Sequence, residues 1–157
     1  MVVADVPVLA EPGAATLAPE RIDPQASAAF VIVSAVDDAT VNAVNYARAL
    51  HSFPTRALFF ALHPEATEGI QEAWERRNLP ISLEVVECPF RELADPLLDT
   101  LTPITRHENG IAAVILPEPI LGGPVRSIVQ NRTALYLRWL LVFEPHVVLS
   151  SVPYRIR

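Results

Sequence analysis

The run FVIVSAV at residues 30–36 decides the fold, because six of its seven side chains are apolar. Apolar side chains on both faces are typical of a strand inside a parallel sheet that is covered on both sides. Asp37 and Asp38 follow directly, and either carboxylate can cap a helix. The apolar residues of that helix recur at about one turn and predict a buried stripe: Val41, Val44, Ala47 and Leu50.

The same alternation continues to the end of the chain. Further apolar runs predict strands at residues 56–62, 81–86, 111–116 and 146–152. Helical segments between them are predicted after Pro64, after Asp95-Pro96 and from Asn131. Five strands alternating with four helices predict an α/β fold, a doubly wound five-stranded parallel sheet with right-handed crossovers. Flavodoxin-like and closely related strand orders are the leading candidates.

Composition predicts one domain with an N-terminal arm. The 157 residues, 51% of them hydrophobic, suffice for a single core. Residues 1–27 are rich in alanine and proline and lack periodicity, so they are predicted to be a disordered linker or arm. Residues 28–157 then form the α/β domain.

Several classes of protein are disfavoured by the sequence. The apolar stretch at 134–143 is half of the roughly 20 residues that a membrane span needs, and no secretion signal precedes the domain, so a cytoplasmic location is predicted. The single cysteine, Cys88, has no disulfide partner, and the four histidines share no ligand spacing, so no metal site is predicted. Without a nucleophile elbow or a Cys-His signature, the chain is not predicted to be an enzyme.

Charge is distributed unevenly around a net value of −6. Residues 125–157 carry five arginines against one glutamate, a balance of +4, whereas the other 124 residues carry seven arginines and seventeen acids, a balance of −10. This pattern argues against nucleic acid as a partner and favours a small anionic ligand bound near the C-terminus. The chain contains no lysine, which excludes Schiff-base chemistry and the phosphate lysine of P-loops.

The candidate ligand site lies where the strands of such a sheet end. Ligands of open parallel sheets bind beyond the carboxyl ends of the strands, where the strand order reverses. Three segments are predicted to reach this rim with glycine amides, a helix start or a charged side chain: Asp37 after the first strand, Arg91 after the third, and Gly122, Gly123, Asn131, Arg132 and Thr133 after the fourth.

Each of these residues also has a purely structural interpretation. Asp37 can cap the first helix instead of binding an adenine amino group or a ribose hydroxyl, and Arg91 can be a solvated loop residue. The glycine pair can be a flexible turn, and Asn131 a helix cap. The residues alone leave these alternatives open.

The first strand, the helix at 41–50 and the glycine loop resemble the universal-stress-protein fold. ATP-binding members of that family carry Gly-x-x-Gly, nine residues, then Gly-Ser/Thr after the fourth strand. Here Gly122-Gly123 and Thr133 match that pattern only in part.

A closer resemblance spans residues 30–156 and rests on segments 42–50, 87–93, 131–135 and 151–154. These segments look like the universal-stress-protein-like cytosolic C-terminal domain of bacterial amino-acid-permease (APC) superfamily transporters. The resemblance implies the strand order 3-2-1-4-5, a position after membrane helices and a tendency to dimerise. It also implies potassium/proton symport and regulation by cyclic di-AMP in some members.

The resemblance, together with the candidate ligand site, implies a regulatory, nucleotide-sensing domain of an amino-acid-permease-like transporter at the inner face of the membrane, with potassium as a candidate solute. Cyclic di-AMP ahead of ATP is the predicted ligand, with no cofactor. The membrane domain is expected on the same or a neighbouring chain. A homodimer is predicted on the apolar run at 146–152, which should be an open sheet edge. The alternatives are a ligand-free dimerisation module and a stand-alone ATP-binding stress protein.

Overall fold

A computed structural model describes residues 23–50, 54–120 and 132–155 as alternating strands and helices. The nine described elements are β1 (Ala28–Val33), α1 (Asp38–Ala49), β2 (Thr55–Ala61), α2 (Pro64–Arg76), β3 (Leu83–Glu87), α3 (Ala94–Thr105), β4 (Ala112–Ile120), α4 (Arg132–Leu141) and β5 (Val147–Arg155). The strands form one sheet in the order β3-β2-β1-β4-β5, and every neighbouring pair is parallel. The predicted fold class and strand order are confirmed.

Helices cover both faces of the sheet, as the two-sided apolar strands require. On one face, Val44 of α1 packs with Ile70 and Trp74 of α2 against alternate residues of β1, β2 and β4. On the other face, α3 and α4 supply the buried leucines Leu97, Leu101, Leu137 and Leu141. The strand face that a residue occupies follows the alternation of the pleat. Phe30 belongs to the α3 and α4 face, and its neighbour Val31 to the α1 and α2 face.

Strand β4 runs four residues beyond its predicted end, through Pro117 and Pro119. The amide of Ala112 donates to His146 just before β5, so the amides of even-numbered residues in β4 point towards β5. The missing amides of the two prolines therefore point to the β1 side, where pairing with β4 ends at Ile115. The prolines remove no hydrogen bond from the β4–β5 ladder, which continues to Ile120 and Arg155.

The chain enters the domain at the amino edge of the sheet. The amide of Asp23 donates to the carbonyl of Asn109 at 2.7 Å, and the hydroxyl of Ser27 both donates to Asp23 and accepts from the amide of Ile111. Residues 1–22 of the predicted arm lie outside the described residues. In the part of the chain that the structure describes, no helix has the length and hydrophobicity to cross a membrane.

Candidate functional site

The strand order reverses between β1 and β4, because the chain winds outward from β1 through β2 to β3 and then returns to β4. In doubly wound sheets a crevice opens at this point beyond the carboxyl ends of the strands. Residues 34–37 leave β1 at that edge, and Ile120 leaves β4 there. The fold therefore brings the predicted Asp37 and the segment after β4 to one rim.

Asp37 acts as the N-cap of α1. Its Oδ1 accepts a hydrogen bond from the amide of Thr40 at 2.9 Å, and its extended backbone is the usual conformation of a cap. Thr40 fixes the preceding turn, since its buried Oγ1 donates to the carbonyl of Ala35 at 2.7 Å. Asp37 therefore has the structural role of a helix cap. Asp37 remains half-buried at the rim, where its second carboxylate oxygen can still accept a hydrogen bond.

The first turn of α4 carries two of the predicted residues. Arg132 and Thr133 are exposed, and within the described part of the chain the Arg132 guanidinium has no ion-pair or hydrogen-bond partner. The positive end of the helix dipole and a free guanidinium both favour an anion at this position. Gly122, Gly123 and Asn131 lie outside the described residues.

Arg155 is an addition to the site that the sequence reasoning missed. Strand β5 was predicted to end at residue 152, before Pro153, but it continues to Arg155, which pairs in register with Ile120 of β4. Arg155 is exposed at the same edge from which the segment leading to α4 departs. The signal was the apolar-polar alternation that continues through Tyr154 and places Arg155 at the strand end.

Arg138 contributes less positive charge than the sequence suggests. Its guanidinium forms an ion pair with Glu118 of β4 and donates to the hydroxyl of Ser151 on β5. This pair joins α4 to both strands at the side of the sheet where they are adjacent. Arg132 and Arg155 are therefore the described arginines of the C-terminal segment that remain for an anionic ligand.

Arg91 lies in a separate cleft, at the carboxyl ends of β2 and β3. The cleft has a volume of about 640 Å³, and Arg91 shares its wall with His63, Cys88 and the acids Glu68 and Glu87. The backbone of Arg91 has a φ of 57°, in the left-handed region, and its amide donates to the carbonyl of Cys88 at 3.0 Å. Three strand spacings separate β3 from β4, about 14 Å, so the Arg91 cleft and the α4 start are distinct places on the rim.

A second cleft of about 530 Å³ lies on the other side of the loop that carries Arg91. Its charged lining residues are the acids Glu87, Glu92, Asp95 and Asp99. Four carboxylates and no arginine disfavour a phosphate ligand in this cleft. Asp37, Arg132 and Thr133 line neither of these two clefts.

Cys88 is buried in the lining of the Arg91 cleft, and desolvation by burial raises the pKa of its thiol. The thiol lies 3.7 Å from the carbonyl oxygen of Val86. A thiol whose pKa is raised is a poor nucleophile at neutral pH. Among the described residues, no group of three or more histidine, cysteine or carboxylate side chains could hold a metal ion.

The sequence of this chain is similar to that of known proteins. The KimA potassium transporter C-terminal domain family matches residues 25–154, which include all nine elements except the last residue of β5. The chain belongs to this family. The potassium transporter KimA of Bacillus subtilis (strain 168) is 23% identical over 142 residues. That alignment covers 88% of this chain and 23% of the transporter, so the chain spans about a quarter of the relative's length.

Membership of the KimA C-terminal domain family confirms the coarse part of the sequence resemblance, which pointed to a transporter C-terminal domain. The matched residues begin before β1 and end within β5, so the family unit coincides with the sheet and its helices. Asp37 and Arg132 lie within the matched residues, and Arg155 lies one residue beyond them.

Proposed function

We propose that this chain is the cytosolic regulatory domain of a potassium transporter and that it senses an adenine nucleotide, with cyclic di-AMP ahead of ATP. The membrane part would lie on the same or a neighbouring chain, which places the domain in the cytoplasm at the inner face of the membrane. The universal-stress-protein-like relation to amino-acid-permease transporters belongs to the same proposal. Family membership supports the transporter assignment, and the rim supports the ligand class.

The observation that carries the ligand proposal is the guanidinium of Arg132 in the first turn of α4, which has no partner among the described residues, with Arg155 at the end of β5. Both arginines lie at the carboxyl edge, beyond the switch point where ligands of this fold class bind. The chain as a whole is acidic, with a net charge of −6. A locally basic rim on an acidic body favours a compact phosphate-containing ligand over a long polyanion.

Asp37 gives the proposed site a means to discriminate between bases. One of its carboxylate oxygens caps α1, so the side chain is held in one orientation while the other oxygen stays available. A carboxylate accepts a hydrogen bond from an amino group such as that of adenine, and it repels a phosphate. The base is therefore expected near β1 and the phosphate near α4.

No chemical reaction is part of this proposal. Cys88 is buried and its thiol has a raised pKa, and the rim described above presents no nucleophile beside a base. Binding alone, coupled to the transporter, is the proposed role. Neither a cofactor nor nucleic acid is invoked as a partner.

A homodimer is also proposed, because β5 ends the sheet and has no neighbouring strand on its outer side among the described residues. An uncovered edge of this kind favours pairing with another strand. The ligand-free dimerisation module remains the second candidate function, and the exposed apolar surface of α4 favours it. The stand-alone ATP-binding stress protein is the third.

A thermal-shift screen of the 157-residue chain tests the ligand class. Cyclic di-AMP, ATP, AMP, cyclic di-GMP and inorganic phosphate would each be added at increasing concentration. A ligand at 100 times its Kd adds about 2.7 kcal/mol to the free energy of unfolding. The proposal expects stabilisation by cyclic di-AMP and little by cyclic di-GMP or phosphate. Equal shifts with both cyclic dinucleotides would contradict recognition of the adenine base. No shift with any nucleotide would contradict nucleotide sensing and favour the dimerisation module.

A further inference from the structure

The solvent-exposed surface of α4 and of the turn after it is more apolar than the exposed side of an ordinary amphipathic helix. Leu135, Trp139, Val142 and Phe143 are 63%, 69%, 67% and 75% exposed, and together they form what we name the α4 ridge. The rings of Trp139 and Phe143 meet edge to face, with centroids 6.1 Å apart and planes at 78°. The ridge is thus a continuous apolar surface with a preorganised aromatic pair.

Helical geometry places the α4 ridge on the solvent side of α4, roughly opposite the buried stripe. Successive residues turn by about 100°, so Leu135, Trp139 and Val142 fall within an arc of about 60°. Arg138 lies between this arc and the buried stripe, and its guanidinium reaches Ser151 on β5. Leu140 lies on the opposite flank and packs against the cluster that contains α3. The Val142 side of the α4 ridge therefore borders the flank of α4 from which Arg138 contacts β5.

The four residues of the α4 ridge are uncharged, and the neighbouring Arg138 is already paired with Glu118. Arg132 lies one turn before Leu135 on the same side of α4, so it borders the ridge as a charged rim residue. Depletion of charge and enrichment of aromatic residues distinguish the centres of protein interfaces from the rest of a surface.

The area of the α4 ridge matches what a dimer needs. A phenylalanine or tryptophan side chain offers about 150–250 Å², so the four exposed side chains present on the order of 500 Å². One side of a standard interface buries about 800 Å², of which about 65% is apolar in homodimers, again roughly 500 Å². Polar groups that border the ridge can supply the remainder.

From this match we propose that the α4 ridge packs against the α4 ridge of a second copy and forms the apolar core of a two-fold interface. The inference rests on the proposed homodimer and assigns the residues that hold it together. A two-fold interface brings the same patch of both copies into contact, which suits an uncharged, aromatic surface. Binding to a bilayer is the alternative outcome, which vesicle sedimentation distinguishes from self-association.

Trp139→Glu is the decisive variant. It places a carboxylate in each half of the interface, and sedimentation equilibrium over a range of protein concentrations would measure the dimer Kd. We expect the Kd to rise at least thirtyfold, as for the loss of a central aromatic anchor. The matched control is Phe90→Glu, since Phe90 is 85% exposed but lies in the loop after β3, away from α4. That variant is expected to leave the Kd unchanged.

The outcomes separate the ridge from the dimer itself. A wild-type chain that remains monomeric at tens of micromolar would overturn both the homodimer and the ridge. A dimer whose Kd is the same in wild type and Trp139→Glu would overturn the ridge and leave the homodimer to the β5 edge alone. A monomeric wild type that cosediments with phosphatidylglycerol vesicles, with Trp139→Glu failing to do so, would assign the ridge to a lipid surface and contradict the proposal.

A second readout leaves the residues of the α4 ridge unchanged. Trp74 and Trp139 are the two tryptophans of the chain, so Trp74→Phe leaves Trp139 as the single reporter. As protein concentration rises through the dimer Kd, Trp139 emission is expected to shift to shorter wavelength and quenching by acrylamide to fall. Emission that stays at the solvent-exposed position while the chain dimerises would contradict the ridge assignment.

Discussion

Helices α2 and α4 each carry one tryptophan and use it in opposite ways. Trp74 of α2 is 6% exposed, packs with Ile70 against the sheet, and donates its Nε1 hydrogen to the carbonyl of Ile81 at 3.1 Å. Trp139 of α4 is turned to solvent, where its neighbour is Phe143. The solvent side of α2 is polar and mostly acidic, with Glu65, Glu68, Glu72 and Glu75.

The difference separates residues that build the domain from residues left for other molecules. Helix α2 has the ordinary amphipathic pattern, since its large side chains are inside and its charges outside. Helix α4 buries Ala134, Leu137 and Leu141 and still exposes a second apolar side. That second side contributes little to the folding of one chain, so the interaction surfaces are expected on the α4 half of the molecule.

The largest expected contrast is between the two tryptophans. Trp74→Ala leaves a cavity under α2 and an unpaired carbonyl at Ile81, so it should lower the free energy of unfolding by about 3–5 kcal/mol. Trp139→Ala should change it by less than about 0.5 kcal/mol when the protein is dilute enough to be monomeric. Urea unfolding followed by circular dichroism measures both. Equal losses would show that Trp139 is part of the core and would break the comparison.

A pair of leucines on α4 sharpens the contrast within one helix. Leu137 is buried and Leu135 is exposed on the α4 ridge, two residues away. Leu137→Ala should cost about 2–5 kcal/mol of stability, whereas Leu135→Ala should be nearly neutral for the dilute chain. The same urea series decides this, and a large effect at Leu135 would mean that α4 has no free apolar side.

Two ion pairs give the smallest contrast. Arg138 and Glu118 have side chains that are 39% and 24% exposed, whereas Arg77 and Asp38 are 45% and 62% exposed. Arg138→Met removes a contact between α4, β4 and β5 and should cost about 1 kcal/mol, while Arg77→Met should cost less than about 0.5 kcal/mol. Added salt should weaken the Arg77 pair more. If Arg77→Met proved more damaging, α4 would not be fastened to the sheet by Arg138.

Most of the fold could be predicted from the hydrophobic pattern of the sequence. Strands β1, β2 and β4 are buried on both faces, so each is a continuous apolar run in the sequence. The pattern did not predict features that depend on contacts between residues far apart in the sequence. Strand β4 was predicted to end before Pro117, because the side to which a proline's missing amide points depends on strand pairing. Arg138 was counted as free charge, because its partner Glu118 lies twenty positions away on another element.

The sequence predicted where on the sheet the candidate site lies better than it predicted which side chains meet there. The carboxyl edge follows from the strand order, and Asp37 and Arg132 both lie there. Arg91 does not join them, because β3 is the far edge of the sheet and its loop opens a cleft with His63. Arg155 was missed because Pro153 reads as a strand end, although β5 continues past it.

Calorimetric titration of cyclic di-AMP into wild type, Arg132→Ala and Arg76→Ala tests the central claim most directly. Arg76 is an exposed arginine in the last turn of α2, so its removal changes the net charge equally without touching the proposed site. Loss of a hydrogen bond to a charged group costs about 1.5–3 kcal/mol. The Kd should therefore rise roughly tenfold to a hundredfold in Arg132→Ala and stay at the wild-type value in Arg76→Ala. No heat with wild type at millimolar ligand, or equal affinities for all three proteins, would contradict nucleotide sensing at the start of α4.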